Sequence, residues 1–123
     1  MGAAPQDPEL EAMKEEIARE VGRVHLESYG AATANFEVAM HPNFVSVLID
    51  VELSLAERTL VDAGNADSVR TTREVFQEAI GPTYRAIVER ATGRRVTGFA
   101  SRFVLTGPEP WSAEIFRLAP LES

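Results

Sequence analysis

The stretch DSVRTTREVFQEAIGPTYRAIVERAT, from Asp67 to Thr92, decides the fold of this chain. Seven side chains recur in it every three or four residues, which places them on one stripe of an α-helix: Val69, Arg73, Phe76, Ile80, Tyr84, Ile87 and Ala91. We expect Asp67 to cap the start of this helix and Gly93 to close it, since a residue with positive φ is favoured after a last turn. Gly81-Pro82 interrupts the pattern, which predicts a kink or two abutting helices.

Two segments before this helix alternate at strand period. The first has Phe36, Val38 and Met40 on one face, and the second runs from Phe44 to Val51. Between them, residues 41–43 form a turn, so the two segments predict a β-hairpin. A short helix from Leu55 to Ala63 follows, and Ser54 with Glu57 has the spacing of a capping box.

A second pair of strands follows the long helix. Residues 96–105 predict a strand whose inner face carries Thr97, Phe99, Ser101, Phe103 and Leu105, and residues 111–118 predict the last strand. The order α-ββ-α-α-ββ is typical of an α+β fold, with two antiparallel hairpins forming a sheet packed against an N-terminal helix and the long central helix. We expect one domain over residues 1–123 with its core at 10–118, disorder at 1–7, and a C-terminal Leu121-Glu122-Ser123 that could be a cloning remnant.

The N-terminal helix carries a narrow apolar seam. Asp7 and Pro8 suit its cap and first position, and Gly22 predicts that it ends or bends between residues 22 and 27. The seam steps by three or four residues through Leu10, Met13, Ile17, Val21 and Val24. Two interpretations stay open: the seam packs on the chain's own sheet, or it forms an interface with a second copy or another protein.

Composition narrows the class of protein. The formal net charge of −7 argues against nucleic-acid binding as the main role. The absence of Cys excludes disulfides and thiolate chemistry. No apolar run is long enough for membrane insertion, and the first residues lack the pattern of a signal peptide, so a cytoplasmic protein is expected.

No catalytic set of residues stands out, so we expect a protein that is not an enzyme and has no cofactor and no metal. His25 and His41 lack metal-ligand spacing and are expected to be surface or capping residues. Arg73 lies on the apolar stripe of the long helix, where a buried charge needs a partner. We expect a buried ion pair with Asp50 or Glu57, or a pair across a dimer interface, and an anion site is the alternative.

Three short motifs resemble one family of small bacterial proteins, the MpsC-type or YbcI-like group. They are LSLAERTL at residues 53–60, TGRRV at 92–96 and EIFRL at 114–118. The resemblance runs from about Ile17 to Leu118. It implies a bacterial protein related to a sodium-translocating, membrane-potential-generating system and to bicarbonate and cation transport. Ser101-Arg102 stands where the family pattern has Ser-Asp, so any role of that Asp is lost or reversed in charge.

These observations lead to two hypotheses about function. The first is a non-enzymatic accessory or regulatory module, a homodimer that docks on a protein partner at the membrane. The second is a small-molecule or anion sensor that uses Arg73. In either case we expect neither nucleic-acid binding nor membrane insertion.

Overall fold

The computed structural model describes residues 7–30, 35–106 and 109–121. In these ranges the chain forms three helices and four strands: α1 (Pro8–Tyr29), β1 (Phe36–Met40), β2 (Phe44–Asp50), α2 (Leu55–Asp62), α3 (Ala66–Thr92), β3 (Val96–Val104) and β4 (Trp111–Leu118). The predicted α+β class and the order α-ββ-α-α-ββ are confirmed. The predictions for residues 1–6, Glu122 and Ser123 lie outside the described residues.

The four strands form one antiparallel sheet in the order β1-β2-β4-β3. The two strands of each hairpin pair with each other. The pairing of β2 with β4 joins the two hairpins in the middle of the sheet. The helices α1 and α3 pack against each other. In addition, α1 packs on β1, α3 packs on β3, and α2 packs on α3. The inner face of the sheet and the two long helices therefore enclose the core.

The core draws on every strand and on both long helices. Its buried apolar residues are Ile17, Val21, Val24, Val38, Val45, Val47, Ile49, Val51, Val69, Tyr84, Ile87, Val88, Val96, Phe103, Phe116 and Leu118. Since successive strand residues point to opposite faces, the intervening residues form what we call the outer face. On β1 and β2 they are Glu37, Ala39, Phe44, Ser46, Leu48 and Asp50; on β4 and β3 they are Trp111, Ala113, Ile115, Arg117, Ala100, Arg102 and Val104.

The helix α1 is longer than its sequence predicts. Asp7 caps it by accepting a hydrogen bond from the Glu9 amide at 2.9 Å, and Pro8 occupies its first position. The predicted end between residues 22 and 27 is wrong, because the helix continues to Tyr29 and closes at Gly30 with φ 69°. Gly22 lies inside the helix opposite the Phe36 ring, which would be 3.3 Å from an added Cβ atom. This close packing accounts for a glycine in the helix interior.

The helix α3 is continuous through Gly81-Pro82, and the alternative of two abutting helices is wrong. Its N-cap is Asn65 and not Asp67, which lies in the first turn and pairs with Arg70. A carboxylate there still interacts favourably with the helix dipole. In α2, the predicted capping box between Ser54 and Glu57 is confirmed.

A β-bulge corrects the predicted face of β3. Val96 pairs with Leu118 and Gly98 with Arg117, so Thr97 is the extra residue. Val96 is therefore buried and Thr97 exposed, the reverse of the prediction from simple alternation. Beyond the bulge, Ser101 and Phe103 lie on the inner face as predicted.

Candidate functional site

Arg73 and Glu57 form a buried two-point ion pair. The Nε and Nη2 atoms of Arg73 donate hydrogen bonds of 2.7 and 2.8 Å to the two carboxylate oxygens of Glu57. The Arg73 side chain is 4% exposed and that of Glu57 is 21% exposed. Of the two expected partners, Asp50 is instead exposed on the outer face. This parallel geometry satisfies both groups and fixes α2 against α3.

Aromatic rings surround the guanidinium group of Arg73. Its Cζ atom lies 4.3 Å from the ring centroid of Tyr29 and 5.4 Å from that of Phe103. Burial alone would raise the pKa of Glu57, but hydrogen bonds from Arg73 and Ser54 outweigh it and the pKa is lowered. Glu57 is therefore ionised opposite the guanidinium group of Arg73.

His25 lies in the core, so its prediction as a surface or capping residue is wrong. It is buried on α1, with its ring 4.7 Å from Tyr29 and 5.9 Å from Phe36. Burial, and then the nearby charge of Arg73, lower the pKa of His25 to about 4. His41 lies in the first hairpin turn and stacks on Phe44. The two histidines thus lie in different environments.

Three further residues have buried side-chain oxygen atoms and are called the polar cluster: Gln77, Ser101 and Glu114. An added Cβ at Gly81 would lie 3.0 Å from the Phe99 ring, and Arg73 faces Phe103. Gln77 lies midway between residues 73 and 81 on α3, and Ser101 lies midway between residues 99 and 103 on β3. Gln77 therefore lies on the part of α3 that packs on β3, and Ser101 of β3 pairs across the strands with Glu114.

The polar cluster holds oxygen atoms without hydrogen-bond partners among the described residues. They are Gln77 Oε1, Ser101 Oγ and both carboxyl oxygens of Glu114. The Tyr29 hydroxyl also has no hydrogen-bond partner among the described residues. Buried polar atoms are nearly always satisfied by protein, water or a bound group. Burial raises the pKa of Glu114 to about 8. The Glu114 carboxyl group therefore holds a proton at neutral pH and can donate as well as accept a hydrogen bond.

Sequence reasoning missed Glu114, although its strand position gave a signal. Glu114 shares the strand alternation of Phe116 and Leu118, which predicts that it faces inward with them. The neighbouring difference from the family pattern, Arg102, lies on the outer face and not in the polar cluster. A charge change at residue 102 therefore bears on the surface of the sheet.

The seam of α1 divides into two parts. Ile17, Val21 and Val24 are buried in the chain's own core, whereas Leu10 is 37% exposed and Met13 is partly buried. Because the three buried residues pack against the sheet, only Leu10 and Met13 remain available for the predicted interface. The interpretation of a seam packed on its own sheet describes most of its length.

Two exposed surfaces complete the description. The outer face carries four large apolar side chains that are 36–40% exposed, and these are Phe44, Leu48, Trp111 and Ile115. The acidic segment, residues 8–16 at the start of α1, has four carboxylates and one base: Glu9, Glu11, Glu15, Glu16 and Lys14. Lys14 pairs with Glu11 at 3.5 Å. No helix in the described part of the chain is long and apolar enough to cross a membrane.

Comparison with known proteins gives one family. No curated protein and no solved structure matches the chain. The model of one protein family, described as Na+-translocating membrane potential-generating system (MpsC), matches residues 9–107. That range takes in α1 from its second residue onward, all of α2 and α3, and the first three strands. The chain therefore belongs to the MpsC family.

Proposed function

We propose that this chain is a non-enzymatic accessory or regulatory protein of a sodium-translocating, membrane-potential-generating system, linked to ion or bicarbonate transport. In this proposal it is cytoplasmic and docks on a protein partner at the membrane. Its acidic segment is the observation that carries the proposal. Cytoplasmic loops of membrane proteins carry an excess of Lys and Arg, and an acidic surface complements them.

The charge of the acidic segment is only partly neutralised within the chain. Glu9 and Glu11 lie in the first turn of α1, where carboxylates stabilise the helix through its dipole. Glu15 and Glu16 lie beyond that turn and gain little from the dipole. Among the described residues, no ion pair involves either of them. Their charge is therefore available to a basic partner.

The alternative of an anion sensor built on Arg73 has less support. Two of its guanidinium nitrogens already donate to Glu57, and its side chain is almost wholly buried. A free anion would have to displace a carboxylate that is held in place by its own capping box.

A vesicle-binding experiment tests the proposed function. The full chain is incubated with inside-out membrane vesicles from the organism that encodes it, and sedimentation measures the bound fraction over a series of salt concentrations. The double variant Glu15→Gln/Glu16→Gln is expected to bind about tenfold more weakly, because it loses two charges that face the partner. The matched control Glu74→Gln/Glu78→Gln removes two exposed charges of α3 and is expected to bind as the wild type does.

Two outcomes of this experiment would contradict the proposal. One is equal binding by the acidic-segment variant and the wild type. The other is undiminished binding to vesicles whose protein loops have been removed by protease, which would mean that the chain binds lipid and not a protein partner.

A further inference from the structure

The outer face is arranged in rows that cross all four strands. One row contains Glu37, Leu48, Ala113 and Arg102, which pair in succession across β1, β2, β4 and β3. Read across the sheet, it presents an acid, a large apolar residue, a small residue and a base. The next row contains Ala39, Ser46, Ile115 and Ala100, with its one large side chain on β4. The two halves of the first row therefore differ in charge and in the size of their apolar residue. The two halves of the second row differ in size.

After one particular rotation, each row of one copy is complementary to the same row of a second copy. Two sheets can pack face to face with their strands aligned to within about 30°. A two-fold axis parallel to the strands, lying between the sheets, places β1 over the partner's β3 and β2 over the partner's β4. Glu37 then faces Arg102 of the second copy, Leu48 faces Ala113, and Ile115 faces Ser46. Every large apolar side chain of the two rows meets a small one.

We propose that a second copy of this chain covers the outer face in a two-fold dimer, with Glu37 of each copy paired with Arg102 of the other. This interface uses neither the seam of α1 nor the acidic segment, so it is independent of the proposed docking at the membrane. It leaves the acidic segments of both copies exposed.

Charge disfavours a second two-fold arrangement of facing sheets. An axis that crosses the strands at the row of Glu37 and Arg102 would place β1 over β1 and β3 over β3. Glu37 would then lie near Glu37, and Arg102 near Arg102, which is repulsive for both pairs. The residues cannot pair within one chain, because they lie on opposite edge strands about 14 Å apart, three spacings of neighbouring strands. An interaction between them therefore has to be intermolecular.

Charge reversal with rescue tests this dimer. The mass of the full-length protein is measured by light scattering from micromolar to hundreds of micromolar concentrations, and the wild type is expected to reach twice its 13.5 kDa chain mass. Glu37→Arg and Arg102→Glu each place like charges opposite one another, so each is expected to raise the dimer dissociation constant at least about tenfold. The double variant restores opposite charges and is expected to return to within about threefold of the wild type.

The control variant is Glu78→Arg, on the exposed surface of α3. It changes the net charge by the same amount as Glu37→Arg does. It is expected to leave the dissociation constant unchanged, and melting temperatures verify that all variants are folded. A wild-type monomer throughout the concentration range would overturn the proposal. So would a dimer that the two single variants do not weaken, or one that the double variant fails to restore. A dimer broken only by Leu10→Ala or Met13→Ala would also overturn it and assign the contact to α1.

Discussion

Two buried ionisable residues, Arg73 and Glu114, are accommodated in different ways. Arg73 is paired with Glu57 at two points, and aromatic rings line its sides. Glu114 has no such partner among the described residues, and burial keeps its carboxyl group protonated. Removing Glu57, the partner of Arg73, should therefore lower the free energy of unfolding. Glu114 should make that free energy depend on pH.

The ion pair should respond unequally to the loss of either partner. Glu57→Gln leaves the buried guanidinium group unpaired and is expected to lower the free energy of unfolding by about 2–4 kcal/mol. Arg73→Met should cost less, because Met fills the apolar site and Glu57 reaches solvent. Gln at residue 57 can still accept from the Ser54 amide, so the helix cap is retained. Urea unfolding measures both values, and a greater loss in Arg73→Met would contradict this account.

Glu114 should make the protein less stable as pH rises through the neutral range. Its pKa rises from 4.5 to about 8 on folding, so between these values the unfolded chain has released a proton that the native chain keeps. His25 opposes this trend below pH 6.5, because its pKa falls from 6.5 to about 4 on folding. The clear window is therefore pH 6.5–8, with a slope of about −1.4 kcal/mol per pH unit.

Urea unfolding at a fixed chain concentration across this window measures the slope. Glu114→Gln mimics the protonated carboxyl group, so its stability should be nearly independent of pH there and should exceed that of the wild type at pH 8. Glu78→Gln, exposed on α3, should keep the wild-type slope. An unchanged slope in Glu114→Gln would assign the pH dependence to another group.

At the scale of elements, α3 is the feature that sequence reasoning describes best and also the one with an evident weakness. Its stripe correctly places Val69, Arg73, Tyr84 and Ile87 in the interior. Phe76 belongs to the same stripe but is 43% exposed beside Tyr29, because the stripe is wider than the surface that α1 and the sheet cover. The Gly81-Pro82 pair remains inside one continuous helix, where tertiary packing overrides a poor local propensity.

Pro82→Ala should stabilise the protein. Pro82 is exposed. It has no backbone N–H to donate to the carbonyl of the preceding turn, and its ring crowds that turn. Restoring that hydrogen bond is expected to add about 1–2 kcal/mol to the free energy of unfolding, after allowing for the greater freedom of Ala in the unfolded chain. Thermal unfolding measures the change. The neighbouring variant Gly81→Ala is the comparison: its Cβ meets the Phe99 ring, so it should gain less, and a loss in Pro82→Ala would mean that the core requires a proline bend.

At the scale of the whole molecule, local patterns predict the elements but not their arrangement. Alternation and helical period depend on neighbours within a few residues, so both hairpins and all three helices follow from them. The pairing of β2 with β4 joins residues more than sixty positions apart, and no local signal specifies it. The same limit applies to the candidate sites. Arg73 was visible on its stripe, whereas the polar cluster depends on how α3 lies across β3.

The β3 bulge shows how one residue alters a prediction that is otherwise correct. Simple alternation from Val96 places Thr97 inside together with Phe99, and it fails only because the strand holds an extra residue there. Nothing in the residue types at 96–98 requires a bulge, although Gly98 tolerates one. The error is confined to the start of the strand, and the inward positions of Ser101 and Phe103 are unaffected.

Trp111, the only tryptophan of the chain, lies on the outer face and is 39% exposed. Its indole ring is already partly in water in a single folded copy, so its emission should change less on unfolding than that of a fully buried tryptophan. Anything that covers the sheet would remove water from the ring and shift its emission to shorter wavelengths. The intrinsic fluorescence of this protein is therefore a label-free signal of contact at the outer face, more than of the integrity of the fold.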